Sequence, residues 1–103
     1  MSKFRVNDTF ALERRRLFVL VGSIAEGQIR AGMIVNVPLN SSLSMAGQIQ
    51  SIEFARRADG REDVCLCIAY ESPDELKAWN ALNIQNETLD VVAATQHPPS
   101  PAS

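Results

Sequence analysis

The chain predicts an all-β fold: a six-stranded, closed or nearly closed antiparallel β-barrel with one short helix. Three observations predict it. Gly22, Gly27 and Gly32 recur at five-residue intervals just before the β-branched Val35 and Val37, which marks places where a backbone turns tightly or lies against another strand. Six short apolar or alternating segments are separated by polar, turn-forming ones. Only one stretch carries a helix start. Closure into a barrel removes the bare edges that a small open sheet would expose.

Each element has its own warrant. Phe4 to Leu12 alternates, with Phe4, Val6, Phe10 and Leu12 assigned to one face and only Asp8 interrupting it. Glu13, Arg14, Arg15 and Arg16 make a polar turn. Leu17 to Ile24 is continuously apolar and β-rich, the mark of a well-buried second strand that completes a hairpin with the first. Gly27 to Gly32 is a turn region. Met33 to Val37 is the third strand, ended by Pro38, which has no N–H to give a ladder. Asn40 to Ser42 is a loop, and Gln48 to Phe54 alternates as the fourth strand. Arg56 to Asp63 is a charged turn containing Asp59-Gly60, a hairpin signal, and Val64 to Tyr70 is the fifth strand.

The helix start follows. Ser72 suits the N-cap, Pro73 the first helical position, and Glu75 completes a capping box. Leu76, Trp79 and Leu82 share one face of a helix of about two turns, which Asn80 and Asn83 weaken at its end. Thr88 to Ala93 closes as the sixth strand. The domain reading is therefore a barrel over residues 1–94 and a disordered tail over 95–103, where Pro98, Pro99 and Pro101 stand among polar and small residues.

Composition bounds the function. At 103 residues and 46% hydrophobic, the chain is one domain with enough apolar residues for a real core. Its net charge of −2 argues against a general nucleic-acid binder. No apolar run approaches the roughly 20 residues that span a bilayer, and the start has no signal-peptide core, so the expected setting is the cytoplasm, away from membranes. Cys65 and Cys67, two apart on one strand face, are badly placed for a disulfide to each other and read as buried small residues. A metal site would need further ligands, and the single histidine, His97, falls in the tail. Asp8, Glu53, Asp63 and Glu71 are acids without a histidine partner, and no Gly-x-Ser-x-Gly elbow occurs. No catalytic, cofactor-binding or metal-binding residues are assigned, and an enzyme is not expected.

From Phe4 to Val92 the chain resembles domain II of translational GTPases, the β-barrel that follows the GTP-binding domain in elongation factor Tu and its relatives. Phe4 to Leu12 looks like that barrel's first strand, with Asn7 where an acidic residue is common. Gly22-Ser23-Ile24-Ala25-Glu26-Gly27-Gln28-Ile29-Arg30-Ala31-Gly32 matches the family's glycine-spaced motif without a gap. Ile49 to Phe54 and Val64 to Ile68 look like the next two strands. Three departures stand out. The family's Arg-Gly turn is replaced by Arg14-Arg15-Arg16, the glycine before the closing strand is replaced by Asn86, and Ala81 to Gln85 looks inserted. The resemblance implies a docking surface. In the family this barrel contacts the aminoacyl end of tRNA, ribosomal RNA or neighbouring domains. It also implies that Arg56, Asp8 and Asp63 map near the aminoacyl-end pocket, whose chemistry Asn7 and Asp63 do not preserve. The phosphate-cradling loop of the GTPase is absent and Lys3 and Lys77 are the only lysines, so no GTP binding is expected.

The candidate partner-binding residues are Arg14, Arg15 and Arg16 at the first turn, Arg56, Arg57 and Arg61 around the second charged turn, and Trp79. Guanidinium forks match phosphate and carboxylate oxygens. The alternative is that both turns are simply solvated, and that Trp79 plugs a barrel mouth. Were both turns at one end of the barrel, six arginines would make a basic face. The function expected is a non-catalytic binding module, possible in a translation-related role, that docks a protein or RNA partner through barrel loops, with protein favoured by the charge balance. The alternatives are a detached barrel subunit completing a GTPase encoded on another chain, and a small enzyme. Homo-oligomerisation stays open.

Overall fold

In the computed structural model, which describes residues 2–39 and 42–94, strands β1 (Ser2–Leu12), β2 (Leu17–Glu26), β3 (Ile34–Pro38), β4 (Ser44–Arg56), β5 (Glu62–Ala69) and β6 (Thr88–Val92) accompany one helix, α1 (Pro73–Ala81). The strands close on themselves in the order β1-β2-β5-β4-β3-β6, every neighbouring pair antiparallel. The expected six-stranded all-β barrel with one short helix is therefore present. The proposed tail over 95–103 lies outside the described residues.

Alternation places Phe18, Leu20, Leu66 and Ile68 inside, with Phe4, Val6, Val35, Ile49 and Val91 completing the core. The fourth strand runs four residues further back than expected, to Ser44, because it pairs with β3 from Ile34↔Gln48 to Pro38↔Ser44. Ser44-Met45-Ala46-Gly47 carries no alternation, so only its partner shows it to be a strand. The charged turn shrinks correspondingly, and the Arg57 N–H donates to the Arg61 carbonyl at 2.6 Å to close the β4–β5 hairpin.

One expectation for β1 is corrected. Phe10 and Leu12 do not share a face with Phe4 and Val6. The register slips between Val6↔Gly22 and Asp8↔Val21, so Asn7 is an extra residue, a β-bulge. A one-residue slip sends every later side chain to the opposite face. Phe4 and Val6 point into the core, while Phe10 lies outside and is 47% exposed.

Two glycines fix this geometry by absence of a side chain. A Cβ built on Gly22 would stand 1.8 Å from the Arg5 carbonyl oxygen and 3.2 Å from the Asn7 nitrogen. The bend of β1 thus lies directly on the β2 backbone. A Cβ on Gly47 would stand 2.5 Å from Cζ2 of Trp79.

Trp79 explains the second contact. Ser72 caps α1, its hydroxyl accepting from the Glu75 N–H at 3.2 Å, and the Glu75 carboxylate accepts from the Glu71 N–H at 2.6 Å. Pro73 opens the helix as expected. The helix lies over one end of the barrel and inserts Trp79, which is 2% exposed, against Phe18 with ring centroids 5.6 Å apart. Trp79 is accordingly part of the core and gives no surface anchor. Burying a side chain of roughly 200 Å² at about 25 cal/mol per Å² contributes on the order of 5 kcal/mol. Trp79→Ala is expected to cost about 3–5 kcal/mol through the cavity it leaves, and Gly47→Ala about 1–3 kcal/mol by overpacking. Gly22→Ala, whose new atom meets main chain, is expected to lose more than Gly47→Ala. Urea midpoints of the three variants check this order.

Candidate docking surface

The bulge at Asn7 creates a second apolar layer. Leu17 and Val19 of β2 alternate with the inward Phe18 and Leu20, and Cys67 of β5 lies opposite Val19. These three are buried together on the outer side of the sheet, with Leu12, Val21 and Cys65 packed against them. Phe10 lies directly across from Val19. A barrel of this size needs one core. Leu17, Val19 and Cys67 are themselves covered, so what this side offers outward is the half-exposed Phe10 with the partly buried Leu12, Val21 and Cys65 beside the cluster.

Charge is ordered along this face. At one end stands the β1–β2 turn with Arg14, Arg15 and Arg16, all exposed. Its bonds run from the Arg15 N–H to the Leu12 carbonyl at 3.1 Å and from the Arg16 N–H to the Glu13 carbonyl at 3.2 Å. Arg16 sits at φ 54°, in the left-handed region, which costs a side-chain-bearing residue about 1–2 kcal/mol. At the other end are Asp8, which faces Val21, together with Asp63 and Glu53 on the flanks of Cys65. Asp8 accepts from its neighbour's Thr9 N–H and from Gln85 Nε2, both at 2.8 Å. Asp63 accepts from Arg57 Nε at 2.9 Å, and this carboxylate raises the Arg57 pKa above its ordinary value.

The two arginine groups do not meet. The Arg16 carbonyl accepts from the Tyr70 N–H at 3.0 Å, just past the end of β5, whereas the Arg57–Arg61 turn precedes its start. The eight residues of β5 put more than about 20 Å between them at a rise of about 3.3 Å per residue. Arg61 lies 3.8 Å from Asp59 in its own turn, so Arg57 and Arg61 both have acidic neighbours. The single basic face of six arginines is therefore not formed.

Phe10, Leu12 and Asp8 are the surface residues that sequence reasoning misassigned. The signal was Asp8 itself, an acid in the middle of an apolar face, which a bulge resolves by turning it outward. The free Cys65 and Cys67 lie on this surface as half-buried and buried residues. Among the described residues no group of three His, Cys, Asp or Glu could hold a metal ion, and no helix is long and apolar enough to cross a membrane. A shallow cleft of about 220 Å³ beside the helix start is lined by Glu13, Arg16, Tyr70, Glu71 and Ser72 among others, and the Ser72 hydroxyl in it accepts from the Glu75 N–H as the helix cap. Comparisons with protein-family models, curated proteins and solved structures found no match.

Burial pushes the Cys65 thiol up, and the neighbouring Cys67, Asp63 and Glu53 add to the rise. A raised pKa leaves a smaller thiolate fraction at a given pH, and the thiolate is the reactive form. At pH 8, alkylation of Cys65 is expected to run severalfold slower in the folded chain than in urea, and to accelerate as pH rises. Mass spectrometry of timed iodoacetamide quenches checks both.

Proposed function

We propose that this chain is a non-catalytic docking module that binds a protein partner through the outer face of the β1–β2 hairpin and its arginine turn. The observation that carries the reading is the half-exposed Phe10, turned outward opposite the buried Val19 and accompanied by the partly buried Leu12. Apolar surface flanked by arginine is the composition of protein contact sites. The separation of the arginine groups favours protein over RNA, since a nucleic-acid surface uses cations that act together along the phosphates. Arg16 adds support: it is held in a strained conformation that glycine would relieve, and strain of this kind clusters at functional positions.

The similarity to domain II of translational GTPases supports a docking role in place of catalysis, and a translation-related partner fits it. The closed six-stranded barrel is compatible with that family. A fold alone does not choose the partner.

A photo-crosslinking residue placed at Phe10 in cells tests the proposal, with the 63%-exposed Phe54 at the far hairpin as control. Discrete adducts are expected from position 10, resistant to ribonuclease, and reduced at least severalfold when Arg14, Arg15 and Arg16 are changed to Glu. Adducts that ribonuclease removes, or adducts from position 54 alone, would overturn the reading. Arg16→Gly is expected to raise stability by about 1 kcal/mol while weakening the position-10 adduct.

A further inference from the structure

The barrel is closed, yet its β4–β5 hairpin runs on past the neighbouring strand and leaves one side of β4 bare. The pairing of β4 with β3 ends at Ile34↔Gln48. The residues before β3 add one more step, the Ile49 N–H donating to the Met33 carbonyl at 2.8 Å and the Gly32 N–H to the Ile49 carbonyl at 2.7 Å. Beyond Ile49, β4 continues to Arg56 with β5 alone as its partner among the described residues.

Two bonds fix which backbone groups face outward. Opposed residues in an antiparallel pair alternate between exchanging both bonds and exchanging none. The Arg57 N–H donates to the Arg61 carbonyl, so Ala55↔Asp63, Glu53↔Cys65 and Ser51↔Cys67 are the bonded pairs. The opposite edge of β5 agrees. The Tyr70 N–H goes to the Arg16 carbonyl, hence Ile68, Leu66 and Val64 bond to β2, while Cys67, Cys65 and Asp63 are left for β4. Ile52, Phe54 and Arg56 therefore turn their N–H and carbonyl groups away from β5. None of these groups has a partner among the described residues.

The side chains of the same three residues share one face. Ile52 stands opposite the buried Leu66 and Phe54 opposite Val64, and both Ile52 and Val64 pack against the core. Phe54 is one step further along that face, past the reach of the core, and is 63% exposed. Arg56 follows it, across the ladder from Glu62 but without an ion pair among the described residues. On the reverse face Glu53 and Ala55 are exposed.

We infer that this edge of β4 accepts an extended segment of a partner protein as an added strand, antiparallel to residues 52–56. The site is separate from the Phe10 face, which lies on β1 and β2. The backbone specifies the occupant, because a row of alternating donors and acceptors is satisfied along its length by another strand and not by a compact ligand. The side chains specify its sequence. Apolar residues belong beside Ile52 and Phe54, an acid beside Arg56 and, on the reverse face, a cation beside Glu53, each such cross-strand pair strengthening the ladder. A second copy of the same edge fits less well. Paired about Phe54, it sets Arg56 against Ile52 and Glu53 against Ala55, so neither charge meets its opposite.

Amide spectra of the full chain, titrated with the acetylated peptide Glu-Thr-Val-Lys-Val-Thr, test this. Set antiparallel, the glutamate of the peptide meets Arg56, its valines meet Phe54 and Ile52, and its lysine meets Glu53. Shifts are expected at the amides of Ile52, Phe54 and Arg56, with their hydrogen exchange slowed severalfold. The same peptide N-methylated at both valines has no N–H for the Phe54 and Ile52 carbonyls and is expected to lose both effects. Arg56→Glu is expected to weaken binding at least severalfold, and a peptide with lysine in place of the glutamate to restore it. No shift at the highest soluble peptide concentration, a response that survives N-methylation, or a loss in Arg56→Glu that the exchanged peptide does not repair would each overturn the inference. So would shifts of the same amides on concentrating the chain without peptide, which mean that a second copy holds the edge. In the cellular crosslinking experiment, position 54 is expected to give adducts of its own beside those from position 10, unaffected by the changes at Arg14, Arg15 and Arg16. Adducts from position 10 with a silent position 54 would overturn this inference and leave the Phe10 reading.

Discussion

The contact on which this structure depends is the passage of β1 over Gly22. At Val6 and Asn7 the first strand lies so close to β2 that no side chain fits between them, and there it takes an extra residue. Before this point β1 belongs to the barrel, zipping to β6 and completing the closed ring. After it, β1 continues only as the partner of β2. One bend therefore sets two things: closure of the sheet and the outward turn of Phe10 and Leu12. A side chain at position 22 would force the strands apart and disturb both.

The other end of the design is α1. A barrel whose strands stop at different heights leaves an open mouth, and here the segment after β5 fills it. Trp79 reaches the core because Gly47 leaves room for its indole and Phe18 offers a ring to stack on. The capping box at Ser72 and Glu75 fixes where the helix begins, so the position of Trp79 is set by a turn as well as by packing. This helix and its loop also bring Gln85 and Asn86 onto β1, where they occupy the edge up to Val6 and Asp8. The edge of β1 is thus open over a short length only, which limits what can add to it.

Much of this was legible in the residues. The strands announce themselves through alternation and β-branched runs, since a pleated strand with one buried face must alternate. Ser72, Pro73 and Glu75 define the helix start because capping is local chemistry. Asn86 adopts φ 68°, as the tolerance of asparagine for the left-handed region allows. Other features depend on partners distant in the chain and leave weak traces. The first residues of β4 are a strand only because β3 lies beside them. The bulge at Asn7 changes the parity of a strand by one residue, and its only mark is Asp8 among apolar neighbours. For the same reason the face proposed for docking was hidden: with Phe10 assigned inward, attention falls on the arginines and Trp79.

For the proposed docking role, the placement of those arginines bears on the class of partner more than their number does. Two charge groups more than about 20 Å apart act independently when the screening length is about 8 Å at physiological salt. In one of the groups, Arg57 and Arg61 are also balanced, by Asp63 at the start of β5 and by Asp59 in the turn. Arg56 stands opposite Glu62 at the end of the β4–β5 ladder, which leaves the triplet Arg14 to Arg16 adjoining an apolar face that ends in acids. A polyanion gains little from such a surface, because only one end of it attracts phosphate and the other repels it. A polypeptide gains from all of it, since apolar residues fill the middle and opposite charges meet both ends. The alternation of charge along the face, and not the charge total, is therefore the argument for a protein partner.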